Sequence, residues 1–197
     1  MARAKSERTA APKPPGGRLY SGLSPEDRQA ERRQRLVRAA AVVAGRRGLE
    51  GTTVAAICAE AGLTARYFYE SFPNREAIFV DAYRLARDEL LRRMGEGGGR
   101  GTKAALTAFY SALQAHPGLA RVFLVDIDDH GPVMKAISAE GGAMLTKAFG
   151  LRPAHPLQQA GQVGAIVDIG KRWIESGFAE PVEKVVSIAL SFARLKP

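Results

Sequence analysis

Apolar side chains recur three and four positions apart along most of the chain, the spacing of one face of an α-helix, and no stretch alternates over a strand-length run. Leu36, Val37, Ala40, Val43 and Ala44 mark a first helix. It opens at Ser24-Pro25-Glu26-Asp27, with a capping serine, a proline at the first helical position and acids in the first turn. It runs to about Arg47, and Gly48 stops it. Thr52 and Thr53 offer caps for a short helix, 54–61, ended by Gly62. Thr64 caps the next, which ends near Phe72-Pro73, and Asn74 caps a long helix through Met94 with Ile78, Phe79, Ala82, Leu85 and Leu90 as its stripe. Gly95 to Gly101 reads as a flexible break. Further helices fall near 102–116, 118–128, 131–149, 156–177 and 181–195. The pattern predicts an all-α protein with four parts: a basic arm (1–23), a three-helix domain (24–73), a connecting helix (74–94) and a helical region (102–197).

Within the first domain, Val54, Ile57, Ala61 and Leu63 can form one apolar face, and Phe68 and Phe72 another on the following helix. If the two faces pack together, Ala65, Arg66 and Tyr69 project the opposite way, with Tyr67 beside them. This is a helix-turn-helix whose second helix can enter a DNA major groove. Arg66 can take a guanine edge with two hydrogen bonds, and Tyr67 or Tyr69 can meet a phosphate or a thymine methyl. An ordinary helical hairpin with exposed Arg and Tyr satisfies the same pattern.

Charge favours the DNA reading. The net charge is +9, and residues 1–94 hold 18 Lys and Arg against 11 Asp and Glu, whereas 95–197 hold 11 against 9. A basic half supplies non-specific attraction to nucleic acid. In the arm, Arg3, Lys5, Arg8, Lys13 and Arg18 suit the minor groove or phosphates, and equally a solvated tail. A single cysteine, Cys58, rules out an intramolecular disulfide and suits a reducing compartment. No apolar stretch of a secretory signal follows the basic start, and no run approaches the roughly 18 apolar residues of a membrane helix. The expectation is a soluble cytoplasmic protein.

Residues 36–80 resemble the DNA-binding domain of the TetR (tetracycline-repressor-like) family of bacterial transcription regulators. The resemblance is carried by Gly48-Leu49-Glu50-Gly51-Thr52-Thr53-Val54, Ile57, Ala61-Gly62-Leu63-Thr64, Phe68-Tyr69, Phe72 and Asn74-Arg75-Glu76-Ala77-Ile78. It implies that Thr53 binds a backbone phosphate, that Thr64 caps the recognition helix, and that Ala65, Arg66 and Tyr67 face the bases. Tyr69 and Arg75 match the family's phosphate contacts. Two positions depart from the pattern: Ser71 stands where His or Tyr is common, and Ala44 where Phe is usual.

For residues 102–197 the resemblance implies a cavity for a small-molecule effector and a dimer interface. Phe109, Tyr110, Phe123, Met134 and Trp173 are the candidate cavity walls, since aromatic and Met side chains suit a hydrophobic ligand. Ala160, Gly164, Val167 and Ile174 on the penultimate helix, with Val182, Val185, Val186, Ala189 and Phe192 on the last, are the candidate dimer surface. Paired across a two-fold axis they would form a four-helix interface.

Other signals carry less chemistry. Asp126, Asp128, Asp129 and His130 lack the spacing of a calcium loop and read as a solvated helix end. Gly95 to Lys103 follows no strand and reverses the Lys-Thr order of a phosphate loop, so it reads as a linker. No catalytic constellation is present, and no cofactor or metal is expected. The expected function is a homodimeric, ligand-responsive transcription regulator, a repressor on a pseudo-palindromic operator, at the nucleoid of a bacterial cell. A constitutive or architectural DNA binder without effector is the alternative, and a helical enzyme or carrier with a look-alike hairpin is the rival from another class.

Overall fold

Ser24 opens the first helix, α1 (Pro25–Arg47), through a reciprocal pair of bonds. Its hydroxyl accepts from the Asp27 N–H at 3.0 Å, and its own N–H donates to the Asp27 carboxylate at 3.1 Å. The computed structural model describes residues 24–96, 99–124 and 131–194, the last without the side chains of 131–136 and 138. Eight helices follow α1 among the described residues: α2 (Val54–Ala61), α3 (Ala65–Ser71), α4 (Arg75–Glu96), α5 (Thr102–Ala115), α6 (Pro117–Leu124), α7 (Gly131–Ala148), α8 (Pro156–Glu175) and α9 (Val182–Ala193). No other regular element occurs among those residues, and none of these helices is long and apolar enough to cross a membrane.

Local chemistry sets most boundaries. Thr53 accepts from the Ala56 N–H at 3.1 Å and Asn74 from the Ala77 N–H at 2.9 Å, satisfying donors that a helix start leaves free. Gly62 ends α2 in the left-handed region at φ 62°, where a side chain is strained. Thr64 holds the cap position of α3, but its hydroxyl makes no capping bond, contrary to expectation. Backbone bonds hold that turn instead: the Leu63 N–H donates to Cys58 O at 2.9 Å and the Tyr67 N–H to Thr64 O at 3.1 Å.

Helix α1 is the hub of the fold, packing on α2, α3, α4 and α6. Arginines along its outer side tie the hairpin to it. Arg35 donates to the Ala61 carbonyl at 2.7 Å, closing the end of α2. Arg33 pairs with Asp81 of α4 at 2.6 Å and lies over the Phe72 ring at 4.2 Å. Inside, Leu36, Ile57, Phe68, Phe72 and Ile78 are buried together, and the core continues through α4 and α6 into Leu106, Phe109, Tyr110 and Leu113 of α5. Ala44, at the position that departs from the Phe pattern, is itself fully buried.

The body is closed by the antiparallel pair α8 and α9. Trp173 donates from its indole to Glu180 O at 2.8 Å at one end, and Gln162 donates to Ala193 O at 3.2 Å at the other. Tyr110 of α5 reaches across to donate to Ile166 O of α8 at 2.8 Å.

Candidate nucleic-acid interface and ligand cavity

Packing of the hairpin decides which side chains face outward. Ile57, Ala61, Phe68 and Phe72 are buried, with Phe68 and Phe72 in ring contact at 5.8 Å, while Val54 and Leu63 pack at the edge. Because Phe68 points inward, Ala65, Arg66 and Tyr69 on the remaining face of α3 are exposed, Tyr69 to 61%. A large aromatic exposed to that extent is unusual unless it meets a partner. Thr53 is exposed at the start of α2.

Arg66 is held by Glu70 one turn on, Nε to carboxylate 2.9 Å, with the arginine side chain 84% exposed. An exposed pair of this kind is worth only about 0.3–0.5 kcal/mol, so it points the guanidinium without locking it. Tyr67 is half-buried beneath the Arg32 guanidinium, 4.7 Å from the ring centroid. Arg75 is half-buried too, over the Phe79 ring at 5.4 Å, with Glu76 at 3.9 Å. Ser71, the weak position of the pattern, is half-buried. Cys58 is buried against the core, and that burial pushes its thiol pKa up, away from thiolate chemistry. Residues 1–23, with the basic arm, and 126–130, with the Asp and His cluster, lie outside the described residues.

A cavity of about 550 Å³ opens among α4, α6, α7 and α8. Its wall includes Tyr83, Phe123, Leu145, Val163 and Val167, and the carboxamide of Gln159 supplies a polar group. Gln159 donates to Thr146 Oγ1 at 3.1 Å. Gly141 leaves room for the Tyr83 phenol, since a Cβ there would sit 2.5 Å from its oxygen. Burial pushes the Tyr83 pKa up to about 12 against the opposing pull of Arg87, so the phenol is a neutral hydrogen-bonding group. Arg87, almost buried below it, pairs with Asp88 at 2.8 Å and faces Glu140 of α7 at 3.8 Å.

Of the four expected wall residues whose side chains are described, only Phe123 is there. Phe109, Tyr110 and Trp173 are instead sealed in the core: Phe109 stacks edge-on with Phe149 at 5.2 Å, and Tyr110 with Trp173 at 5.9 Å. The Met134 side chain lies outside the described residues. Tyr83, Gly142, Gln159 and Val163 line the space without having been singled out. Their signal is Gly141-Gly142, two glycines inside a helix that costs stability to carry them unless space is needed.

The last two helices divide differently from the expected surface. Ile174, Val185, Val186 and Ala189 are buried within the subunit, α9 packing on α5 and α8, so they face no partner. Val182 is half-buried, and Ala160, Gly164 and Val167 border the cavity. Phe192 is 39% exposed, and it stands with Leu157 at 76% and Ile188 at 45%, two residues the pattern did not select. Leu157 lies near the start of α8 and Phe192 near the end of α9, the ends that Gln162 and Ala193 join. The opposite end of the pair carries Asp168, Arg172, Glu180 and Lys184, matched as ion pairs at 2.8 and 2.9 Å.

Residues 36–82 match the family model described as bacterial regulatory proteins, tetR family. No curated protein sequence matches the chain. Among solved structures, a TetR family transcription regulator from Marinobacter aquaeolei VT8 is similar at 17% identity and TM-score 0.59, over 85% of this chain and 96% of that one. The transcriptional regulator FadR from Bacillus subtilis, solved with stearoyl-CoA, is similar at 18% identity and TM-score 0.61, over 82% and 96%. The multidrug binding protein EbrR, solved with imidazole, is similar at 17% identity and TM-score 0.63, over 84% and 97%. These likenesses establish the shared fold, and the domain match establishes what the hairpin is. Residues 36–82 are a helix-turn-helix domain of the tetR family of bacterial regulatory proteins.

Proposed function

We propose that the chain is a homodimeric repressor whose operator affinity falls when an apolar effector enters the cavity at Tyr83. The observation that carries this reading is that one helix serves both ends. α4 begins at Arg75, four residues after α3 ends, and packs on α1, which in turn packs on α3; eight residues on, about 12 Å along the axis, its Tyr83 forms the cavity wall. A ligand that moves Tyr83 therefore moves the support of the reading head. Binding the moved state better shifts the population, and a coupling of about 1–3 kcal/mol lowers DNA affinity roughly 5–150-fold.

On DNA, Arg66 and Tyr67 carry direct readout, Ala65 offers a methyl for apolar contact, and Thr53, Thr64, Tyr69 and Arg75 serve the phosphates. The second subunit docks through Leu157, Ile188 and Phe192, which gives two reading heads for two half-sites about one helical turn apart or slightly more. The Bacillus subtilis FadR complex with stearoyl-CoA and the EbrR complex with imidazole support ligand binding in proteins of this fold. The apolar lining, with one neutral phenol and one carboxamide, fits an uncharged apolar effector here.

A promoter fragment from upstream of the coding sequence, held by the protein in a gel shift, tests this against a panel of lipophilic compounds. The expected result is release of DNA by at least one compound from the wild type, and no release from Gly142→Leu, which fills the cavity while still binding DNA. Release persisting in Gly142→Leu overturns the cavity assignment.

A further inference from the structure

A second cavity, of about 560 Å³, lies where the reading head meets the body, and it shares no lining residue with the first. It arises because α1 and α6 cross unusually close. Gly45 and Gly118 face each other without side chains, and the wedge beside their crossing stays open. One wall is apolar: Val42, 39% exposed on a helix whose Leu36, Val37 and Val43 are buried, with Leu119 and Phe178 also lining the space.

The rim is basic. Arg46, His116 and Arg121 border the space, and no Asp or Glu is among its lining residues. Arg46 already has a partner, Glu60 at 3.2 Å. Arg121 is half-buried and has no carboxylate partner among the described residues. A guanidinium partly withdrawn from water beside hydrocarbon is short of hydrogen-bond acceptors, and a carboxylate matches its paired donors. Phe178 adds a second peculiarity: it is the one described non-glycine residue at positive φ, 60°, and its ring meets Trp173 edge-on at 4.9 Å. Bulky residues held in that conformation cluster where a surface is shaped for a ligand.

We propose that this cavity binds a small apolar carboxylic acid as its anion, with the carboxylate on Arg121 and the hydrocarbon against Val42, Leu119 and Phe178. The site is separate from the effector cavity and independent of the repressor reading. Its reporter is built in, because Trp173 is the only tryptophan of the chain and touches the Phe178 wall.

The test titrates the full chain at neutral pH with octanoate and with octan-1-ol, following Trp173 emission. Octanoate should give a saturable change at a Kd about tenfold below that of octan-1-ol, the margin of a charge-assisted contact. Arg121→Gln, checked for folding by circular dichroism, should raise the octanoate Kd to that of the alcohol and leave the alcohol unaffected. Gly142→Leu, which fills the other cavity, should change neither. Equal binding of acid and alcohol, or octanoate binding unchanged in Arg121→Gln, overturns the proposal. Loss of the signal in Gly142→Leu overturns it too, by placing the ligand in the first cavity.

Discussion

Gly45 of α1 and Gly118 of α6 meet backbone to backbone: a Cβ on Gly45 would stand 2.6 Å from the Gly118 Cα. The relation is not symmetric, since a Cβ on Gly118 would lie at an ordinary 3.8 Å from the Gly45 Cα. Gly45→Ala should therefore force the helices apart and destabilise the fold by about 1–3 kcal/mol. Gly118→Ala should be neutral, or stabilising by up to about 1 kcal/mol through helix propensity. Urea midpoints at unchanged slope measure both, and equal effects of the two changes would contradict the geometry.

Arg66 is anchored only by an exposed pair, so its removal should leave stability within about 0.5 kcal/mol. Its effect should appear on DNA instead. Arg66→Ala should lose about 1–3 kcal/mol at one base pair per half-site and relax the preference there. Anisotropy titrations against duplexes substituted one pair at a time would show it. A uniform loss across all sequences would make Arg66 a phosphate contact.

The cavity phenol predicts an alkaline limit. Burial holds Tyr83 protonated to about 12, above its ordinary value near 10. Between those values the unfolded chain gives up a proton that the folded chain keeps, so stability is full below pH 10 and falls as pH rises through that window. Tyr110, buried and bonded to Ile166 O, is shifted in the same direction and adds to the slope. Urea midpoints should decline above about pH 10, and Tyr83→Phe should flatten the decline. A slope unchanged by that variant would remove Tyr83 as a source.

The apolar end of the α8–α9 pair predicts the assembly. Phe192→Glu or Leu157→Glu places a charge where a partner must dry the surface, and should give monomers by sedimentation with the fold intact. Val185→Glu, by contrast, should damage the fold itself, because Val185 is buried within the subunit. Dimers that survive Phe192→Glu would place the interface elsewhere.

What could be read from the sequence was local or periodic. Ser24, Thr53, Asn74 and Gly62 act on neighbours within four residues, so their roles follow from the sequence. Ile57, Phe68 and Phe72 bury as their spacing requires, and with them the outward face of α3 is determined. The stripe of Phe109, Tyr110 and Trp173 says that a face is covered, not whether a neighbour or a ligand covers it. A cavity is made by missing side chains, so its markers were Gly141 and Gly142 rather than the large residues around them. The same holds for Val185 and Leu157, equally apolar in sequence, of which packing on α5 and α8 buries the first while the second stays exposed.

Base-pair reading by α3 carries the proposed function. Anisotropy of a labelled duplex bearing the inverted repeat upstream of the coding sequence, against a scrambled duplex of the same composition at one fixed salt concentration, tests it most directly. Binding at least about a thousandfold tighter to the repeat is the expected result. Equal affinity for the two duplexes would contradict it, leaving the basic charge as the whole of the attraction.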